Sequence, residues 1–197
     1  MTAQLEDSRR DAILSAAARL IADRGYHAVR ISDIAKEVGT STGSVHYYFP
    51  GKNDVLTAAL QHAIDNAFTR QGAELRGIAD SYQRLLTLID MQLPRLGEVR
   101  DEWSVWVQFW AEATIRAELR PIHNEFYGRW RDTIRRIVER GRRDGVFRAD
   151  VDPDLVAHRL TALTDGCAIQ VLTGAPGMNV TAMREILVGF VQESLLP

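Results

Sequence analysis

The chain has 197 residues, of which 46% are hydrophobic and 25% charged, as is ordinary for a globular protein of one large or two small domains. Its one cysteine, Cys167, excludes an intrachain disulfide and any zinc site built on two or more cysteines. The net charge of −2 is not typical of a nucleic-acid-binding protein. The polar, acidic start is no signal peptide, and no apolar run reaches the length of about eighteen residues that a membrane span needs. We therefore expect a cytoplasmic protein without a membrane partner.

Caps and glycine stops mark four successive helices in the first part of the chain. A serine or threonine begins each of the first three helices, and a glycine or an aromatic residue ends it. The predicted start and end residues are Ser8 and Gly25, Ser32 and Gly39, and Ser41 or Thr42 and Phe49. The fourth helix follows the break at Pro50-Gly51 and carries one apolar face.

The remaining helices are longer. One covers about residues 82–93, with Pro94 expected to kink it, and the next covers about residues 102–116 and is apolar nearly all round, which predicts burial. Asp152-Pro153 caps and opens a later helix. No segment alternates with a period of two. The sequence thus predicts an all-α fold of about nine helices: an N-terminal three-helix helix-turn-helix domain and a larger C-terminal helical bundle.

Residues 30–52, RISDIAKEVGTSTGSVHYYFPGK, have the spacing of a helix-turn-helix. Ala35 stands where the two short helices cross closely, and Gly39 permits the positive φ of the turn. Hydroxyl, imidazole and phenol groups on the second helix can bond phosphates or base edges, and Lys52 beyond it suits a phosphate. Residues 1–54 hold seven basic and seven acidic side chains, but no acid occurs from 38 through 53. An ordinary three-helix corner with exposed tyrosines is the alternative.

The segment STGSVHYYFPGKNDVL resembles the signature of the TetR family of repressors, and DAILSAAARLIADRGYHAVRISDIAKEVG resembles the first two helices of that family. The resemblance implies a DNA-binding domain at 8–68, with its motif at about 31–50, and an effector-binding and dimerisation domain at 69–197. His46 departs from the tyrosine frequent in the family, which leaves its base preference open. The resemblance implies DNA contacts from Arg30, Ser32, Thr40, Thr42, Gly43, Ser44, His46, Tyr47, Tyr48 and Lys52.

The C-terminal part resembles the BetI-like branch of the same family through its Trp-x-x-Phe-Trp, Gly-x-Phe-Arg-x-Asp and Asp-Gly motifs. Aromatic residues concentrate in two adjacent helices. They form either an effector pocket, with a cation as one possible ligand, or ordinary core packing. The candidate effector residues are Trp103, Trp106, Phe109, Trp110, Glu112, His123, Phe126, Tyr127, Trp130 and Asp165.

The last two helices have faces that are too apolar for solvent. Either they pack within the chain or they form a four-helix interface between two subunits, and the resemblance favours a homodimer. A two-fold dimer presents its recognition helices to successive major grooves, so the operator should be a palindrome in double-stranded DNA. The candidate interface residues are Leu160, Leu163, Val171, Ile186, Leu187, Phe190 and Val191.

The sequence therefore predicts a repressor that a small-molecule effector releases from its operator, without catalytic residues, cofactor or metal. An all-α enzyme that uses Glu112, His123, His158 or Asp165 is one alternative. The sequence offers it no HExxH, Ser-His-Asp order, P-loop or dinucleotide glycine motif. A regulator that binds a partner protein, or no ligand, is another.

Overall fold

The computed structural model describes the backbone of residues 2–197 and the side chains of residues 6–97 and 99–197. Within this range the chain forms nine α-helices, one short 3-10 helix at Ala117–Leu119 and no strand, which confirms the predicted all-α fold. The helices are α1 (Thr2–Arg24), α2 (Ile31–Val38), α3 (Thr42–Tyr48), α4 (Lys52–Leu75), α5 (Ser81–Gln92), α6 (Glu98–Ile115), α7 (Arg120–Arg143), α8 (Pro153–Thr173) and α9 (Val180–Leu195).

The chain packs as two compact units. The N-terminal unit extends to Thr69 and includes Asp101–Leu119, while the C-terminal unit comprises Arg70–Arg100 and Arg120–Pro197. Most of α6 therefore packs with the first four helices, which the periodicity of its sequence did not indicate. These packing units do not test the predicted functional boundary between residues 68 and 69, which stays a prediction.

Two predicted helix ends are wrong. Helix α1 begins at Thr2, so Ser8 lies inside the helix and is not its N-cap. The reason is that residues 3–6, Ala-Gln-Leu-Glu, are all good helix formers and extend the helix upstream. Helix α5 ends at Gln92, so Pro94 follows the helix and does not kink it. A proline disfavours helical geometry in the residue before it, and Leu93 is accordingly extended.

The core of the C-terminal unit is formed by apolar faces of α5, α7, α8 and α9. Helix α8 begins as predicted: the Asp152 carboxylate accepts the backbone N–H groups of Asp154 and Leu155 at 3.0 and 3.3 Å, and Pro153 occupies the first turn. The phenyl ring of Phe147 packs against the buried Gly141 of α7, in the space that a Cβ would occupy. The fully buried core side chains include Leu85, Leu88, Ile134, Val138, Leu160, Leu187 and Val191.

That core changes the predicted dimer surface. Leu160, Leu187 and Val191 are completely buried within a single chain, so their side chains are not available to a second subunit. The periodicity correctly indicated an apolar face on each helix but did not indicate that the same chain covers part of it. The candidates that keep some exposure are Leu163, Val171, Ile186 and Phe190.

Candidate functional site

Local capping builds the helix-turn-helix. Helix α2 begins one residue before the predicted Ser32, because the backbone N–H of the N-cap, Arg30, donates to the Asp33 carboxylate at 3.0 Å. Gly39 ends the helix with φ 70° and ψ 38°, a left-handed conformation that favours glycine. The turn is closed by the N–H of Thr40, which donates to the carbonyl of Ala35 at 2.8 Å. The predicted turn at Gly39 is therefore confirmed.

Helix α3 is the second helix of the motif. Of the two predicted caps, the structure selects Ser41, whose hydroxyl accepts the Ser44 backbone N–H at 3.1 Å. Val45 and Phe49 are buried, as are Ile34 and Ala35 of α2, so the two helices of the motif share an apolar core. This packing fixes which face of α3 is turned outward.

The outward face of α3 carries the predicted DNA-contacting groups. Thr42, Gly43, His46 and Tyr47 are exposed, and Tyr48 is half-buried. Tyr47 is 75% exposed, an uncommon position for a large aromatic side chain, and its ring meets that of Tyr48 edge to face at 5.0 Å. An exposed phenol can contact a thymine methyl or a phosphate oxygen, so this face suits a DNA groove.

The flanking candidates have mixed exposure. Arg30 and Ser32 are exposed, whereas Thr40 and Ser44 are half-buried. Lys52 begins α4, and its ammonium donates to the backbone carbonyl of His27 at 2.8 Å. Two of its three N–H donors remain for a phosphate. The DNA contacts of these residues stay predictions.

Three polar side chains, two on α6 and the third from Arg116 directly after it, contact the turn between α1 and α2. The Gln108 amide donates to the Ile21 carbonyl at 2.9 Å and accepts the Tyr26 backbone N–H at 2.5 Å. The Glu112 carboxylate lies 2.6 Å from the imidazole of His27, and the Arg116 guanidinium donates to the Tyr26 hydroxyl at 2.8 Å. From the sequence, only Glu112 of these three was a candidate, and its expected role was to contact the effector. The spacing of these polar residues, at i, i+4 and i+8 in a largely apolar segment, was the sequence signal that could have indicated a shared contact surface.

The aromatic residues of α6 contact one another. Trp103 and Phe109 are buried, while Trp106 and Trp110 are half-buried. The Trp106 ring stacks on Phe109 with centroids 5.6 Å apart and meets Trp110 at 5.8 Å, and Trp103 meets Trp110 at 6.4 Å. Such ring contacts are typical both of a core and of an aromatic ligand site, so the two readings of this helix both remain.

In the C-terminal unit, the Asp165 carboxylate of α8 accepts a hydrogen bond from the Tyr127 hydroxyl of α7 at 2.7 Å. Burial raises the pKa of Asp165 to about 6, against the opposing effect of the Tyr127 hydrogen bond. The Tyr127 ring is flanked by the His123 ring at a centroid distance of 4.7 Å and by the Arg131 guanidinium at 5.9 Å. The other α7 candidates are Phe126, which is buried, and Trp130, which is half-buried.

Of the residues considered for an enzyme, His123 and Asp165 both contact Tyr127, whereas Glu112 and His158 contact other groups. Glu112 contacts His27, as described above, and His158 contacts the Arg131 guanidinium at 3.2 Å and the Asp154 carbonyl at 2.8 Å. Among the described residues, no group of three or more His, Cys, Asp or Glu side chains has the arrangement of a metal site. In the same part of the chain, no helix is long and apolar enough to cross a membrane.

The fold and the exposed face of α3 define a helix-turn-helix DNA-binding protein with an additional helical unit. Residues 13–59 match the family model described as bacterial regulatory proteins, tetR family. Residues 81–196 match the model described as BetI-type transcriptional repressor, C-terminal. The chain therefore belongs to the TetR family and is a DNA-binding transcriptional regulator, as the motifs predicted.

Individual proteins support this assignment along nearly the whole chain. BetI of Rhizobium meliloti is 30% identical over 173 residues, which cover 87% of this chain and 82% of that protein. PksA of Bacillus subtilis is 26% identical over 188 residues, with 94% and 89% covered. The crystal structure of a transcriptional regulator from Saccharomonospora viridis in complex with choline is 49% identical. Its TM-score is 0.91, and the match covers 97% of this chain and 99% of that one.

Proposed function

We propose that this regulator is a homodimeric repressor that leaves a palindromic operator when a small quaternary ammonium ligand, of which choline is the model compound, binds its C-terminal unit. It acts as a regulator and not as an enzyme, in the cytoplasm, where its DNA lies. The observation that carries the proposal is the partly buried carboxylate of Asp165, which accepts a hydrogen bond from the Tyr127 hydroxyl.

A buried carboxylate is costly unless it is paired with a cation or fully hydrogen-bonded. Asp165 has the hydrogen bond from Tyr127, yet burial still raises its pKa to about 6, so its charge is incompletely compensated. A ligand cation would supply the missing charge, and an aromatic ring beside a carboxylate is a favourable environment for a quaternary ammonium. The 49% identical regulator from Saccharomonospora viridis was solved with choline, a ligand of this chemical class.

The other ring-bearing candidates of the C-terminal unit lie on α7, the helix that carries Tyr127. We propose that they also contact the ligand: His123, Phe126 and Trp130.

Calorimetric titration of choline into the full chain tests the ligand. We expect saturable binding with one site per chain and at least tenfold weaker binding of 3,3-dimethylbutan-1-ol, the uncharged carbon analogue of choline. The conservative variant Asp165→Asn keeps the shape of the side chain and should lose at least tenfold in choline affinity. Equal binding of choline and its neutral analogue would exclude recognition of charge and, with it, the role of Asp165.

DNA binding and the dimer are tested with duplexes selected from a random library by the protein itself. We expect the selected sites to be palindromes with half-sites about ten base pairs apart, and the complex to contain two chains per duplex by light scattering. Ile186 of α9 is 39% exposed and belongs to the remaining candidate interface. The variant Ile186→Glu should therefore shift the free protein towards a monomer. Asymmetric sites bound by one chain would contradict the dimer.

A further inference from the structure

The three polar side chains described above contact one short turn. Gln108 and Glu112 are spaced by four residues, so they lie on one face of α6, and Arg116 follows the end of the helix with its backbone N–H still bonded to the Glu112 carbonyl. Their partners are the Ile21 carbonyl at the end of α1 and the two residues that follow Gly25. We call these three side chains the α6 clamp. All of its contacts lie within the N-terminal unit.

The polar side chains of the clamp cannot move away from the turn without losing their contacts. Both polar atoms of the Gln108 amide bond to backbone groups of the turn, so rotation of that side chain would break two hydrogen bonds. The Glu112 side chain is only 8% exposed, whereas that of its partner His27 is 83% exposed. A buried carboxylate without a partner is costly, so Glu112 holds the imidazole against α6.

The same turn also contacts the DNA-binding motif. The side chain of His27 faces Glu112, while its backbone carbonyl accepts a hydrogen bond from the Lys52 ammonium at 2.8 Å. Lys52 is the first residue of α4, three residues after Phe49 closes the recognition helix. Glu112 of α6 and Lys52 of α4 therefore contact the same residue, His27, one through its side chain and the other through its backbone carbonyl.

We propose that the α6 clamp positions Lys52 for DNA through His27, so that a displacement of α6 is felt as a change in DNA affinity. Gln108, Glu112 and Arg116 are thereby positioning residues, since they act on DNA only through the turn. The expected effect of the clamp on DNA affinity requires only that the regulator binds DNA. Only the link to a ligand rests on the function proposed above.

A double-mutant cycle on DNA affinity tests the path without any ligand. We measure dissociation constants of the full chain for a selected duplex, using Glu112→Gln, Lys52→Gln and the double variant. Glu112→Gln should weaken DNA binding about fivefold in the wild-type background and less than twofold when Lys52 is already replaced. If Glu112 acts only on general folding, its effect will be the same in both backgrounds, and the proposal is then wrong.

Two further variants serve as controls for the double-mutant cycle. His27→Ala removes an exposed imidazole and so is expected to fold, and it should reproduce the loss seen with Glu112→Gln. Combining these two substitutions should add less than a further twofold, because both break the same contact. The matched control is Asp101→Asn, an exposed acid of α6 that lies eleven residues, about 16 Å, before Glu112. This substitution should leave DNA affinity within a factor of two. If it weakens DNA binding as much as Glu112→Gln does, the effect comes from the charge of the helix, and the proposed role of the clamp is wrong.

Choline provides a second, separate test of the clamp. The ratio of DNA dissociation constants with and without saturating choline measures the coupling of the two sites. In His27→Ala this ratio should fall at least threefold while the choline affinity of the DNA-free protein stays within a factor of two. An unchanged ratio in a variant that binds choline normally counts against the clamp. Should choline neither bind nor change the DNA affinity of the wild type, the proposed ligand is wrong, and the double-mutant cycle still decides the clamp.

Discussion

The charge of Asp165 makes choline affinity depend on pH. Choline carries a permanent charge, so over the range from pH 7.5 to 5 the titration must come from the protein. With a pKa of about 6, Asp165 is almost fully ionised at pH 7.5 and about one-tenth ionised at pH 5. If the ligand binds only the ionised form, its affinity should fall about tenfold across this interval, with the midpoint of the fall near pH 6. The loss occurs as pH falls, because protonation removes the negative charge.

Calorimetric titrations at five or six pH values in this range measure the profile. Asp165→Asn should bind choline weakly with a flat profile, because its side chain does not ionise. The His123 ring packs on Tyr127, and a protonated imidazole there would also repel a cation. His123→Gln should therefore be measured in parallel, and it should keep the tenfold fall.

Three results would refute this reasoning. A flat wild-type profile would show that Asp165 does not supply the charge that binds choline. A tenfold fall that persists in Asp165→Asn would assign the titration to another group. A fall that disappears in His123→Gln would assign it to the imidazole. Circular dichroism at each pH must show that the protein remains folded, since loss of structure would imitate loss of affinity.

The remaining predictions concern stability and DNA binding. Burial raises the pKa of Asp165 on folding, so ionisation of its carboxyl group opposes folding at pH 7.5, whereas at pH 4 the native carboxyl group is protonated. Asp165→Asn should therefore be more stable than the wild type by about 1–3 kcal/mol at pH 7.5 and no more stable at pH 4, as measured by urea denaturation at both pH values. Gly141→Ala should cost about 1–3 kcal/mol because its Cβ overlaps a packed phenyl ring, whereas Gly128→Ala, in the same helix but with open space around it, should stabilise by about 0.5–1 kcal/mol in the same assay. In repeated selection from random duplexes, His46→Ala should change the preferred bases. Lys52→Gln should weaken binding to all duplexes and reduce the slope of log affinity against log salt by about 1; the opposite pattern would contradict these roles.

The parts of the site that the sequence predicted are those decided by near neighbours in the chain. Gly39 at the turn and Ser41 at the cap act on residues within four positions, so their local signals are sufficient. Ser8 shows the limit of such signals, since a capping pattern lies within a longer run of good helix formers. Local patterns find helices reliably, but a cap is real only where the preceding residues are not helical.

Long-range contacts were beyond that reasoning. Glu112 was expected to face a ligand, but its partner in the structure is His27, which lies 85 positions away in the chain. An apolar helix with one acid indicates that the acid needs a partner without identifying it. In the same way, periodicity indicated apolar faces on α8 and α9, but not that the chain itself buries Leu160 and Leu187. These assignments depend on which elements pack together, and the tertiary structure alone determines that.

The position of the clamp gives a reason why a displacement of α6 would affect DNA binding. At 100° per residue, Gln108 and Glu112 lie about 40° apart around the axis of α6, and the side chains of Trp103, Trp106 and Trp110 lie roughly opposite them. An α-helix moves as a nearly rigid rod, so a displacement on the tryptophan face also moves the clamp. The clamp contacts are 2.5 to 2.9 Å long, and a shift of about 1 Å takes such contacts out of hydrogen-bonding range. A small movement of α6 is therefore enough to release His27 and, with it, the carbonyl that holds Lys52.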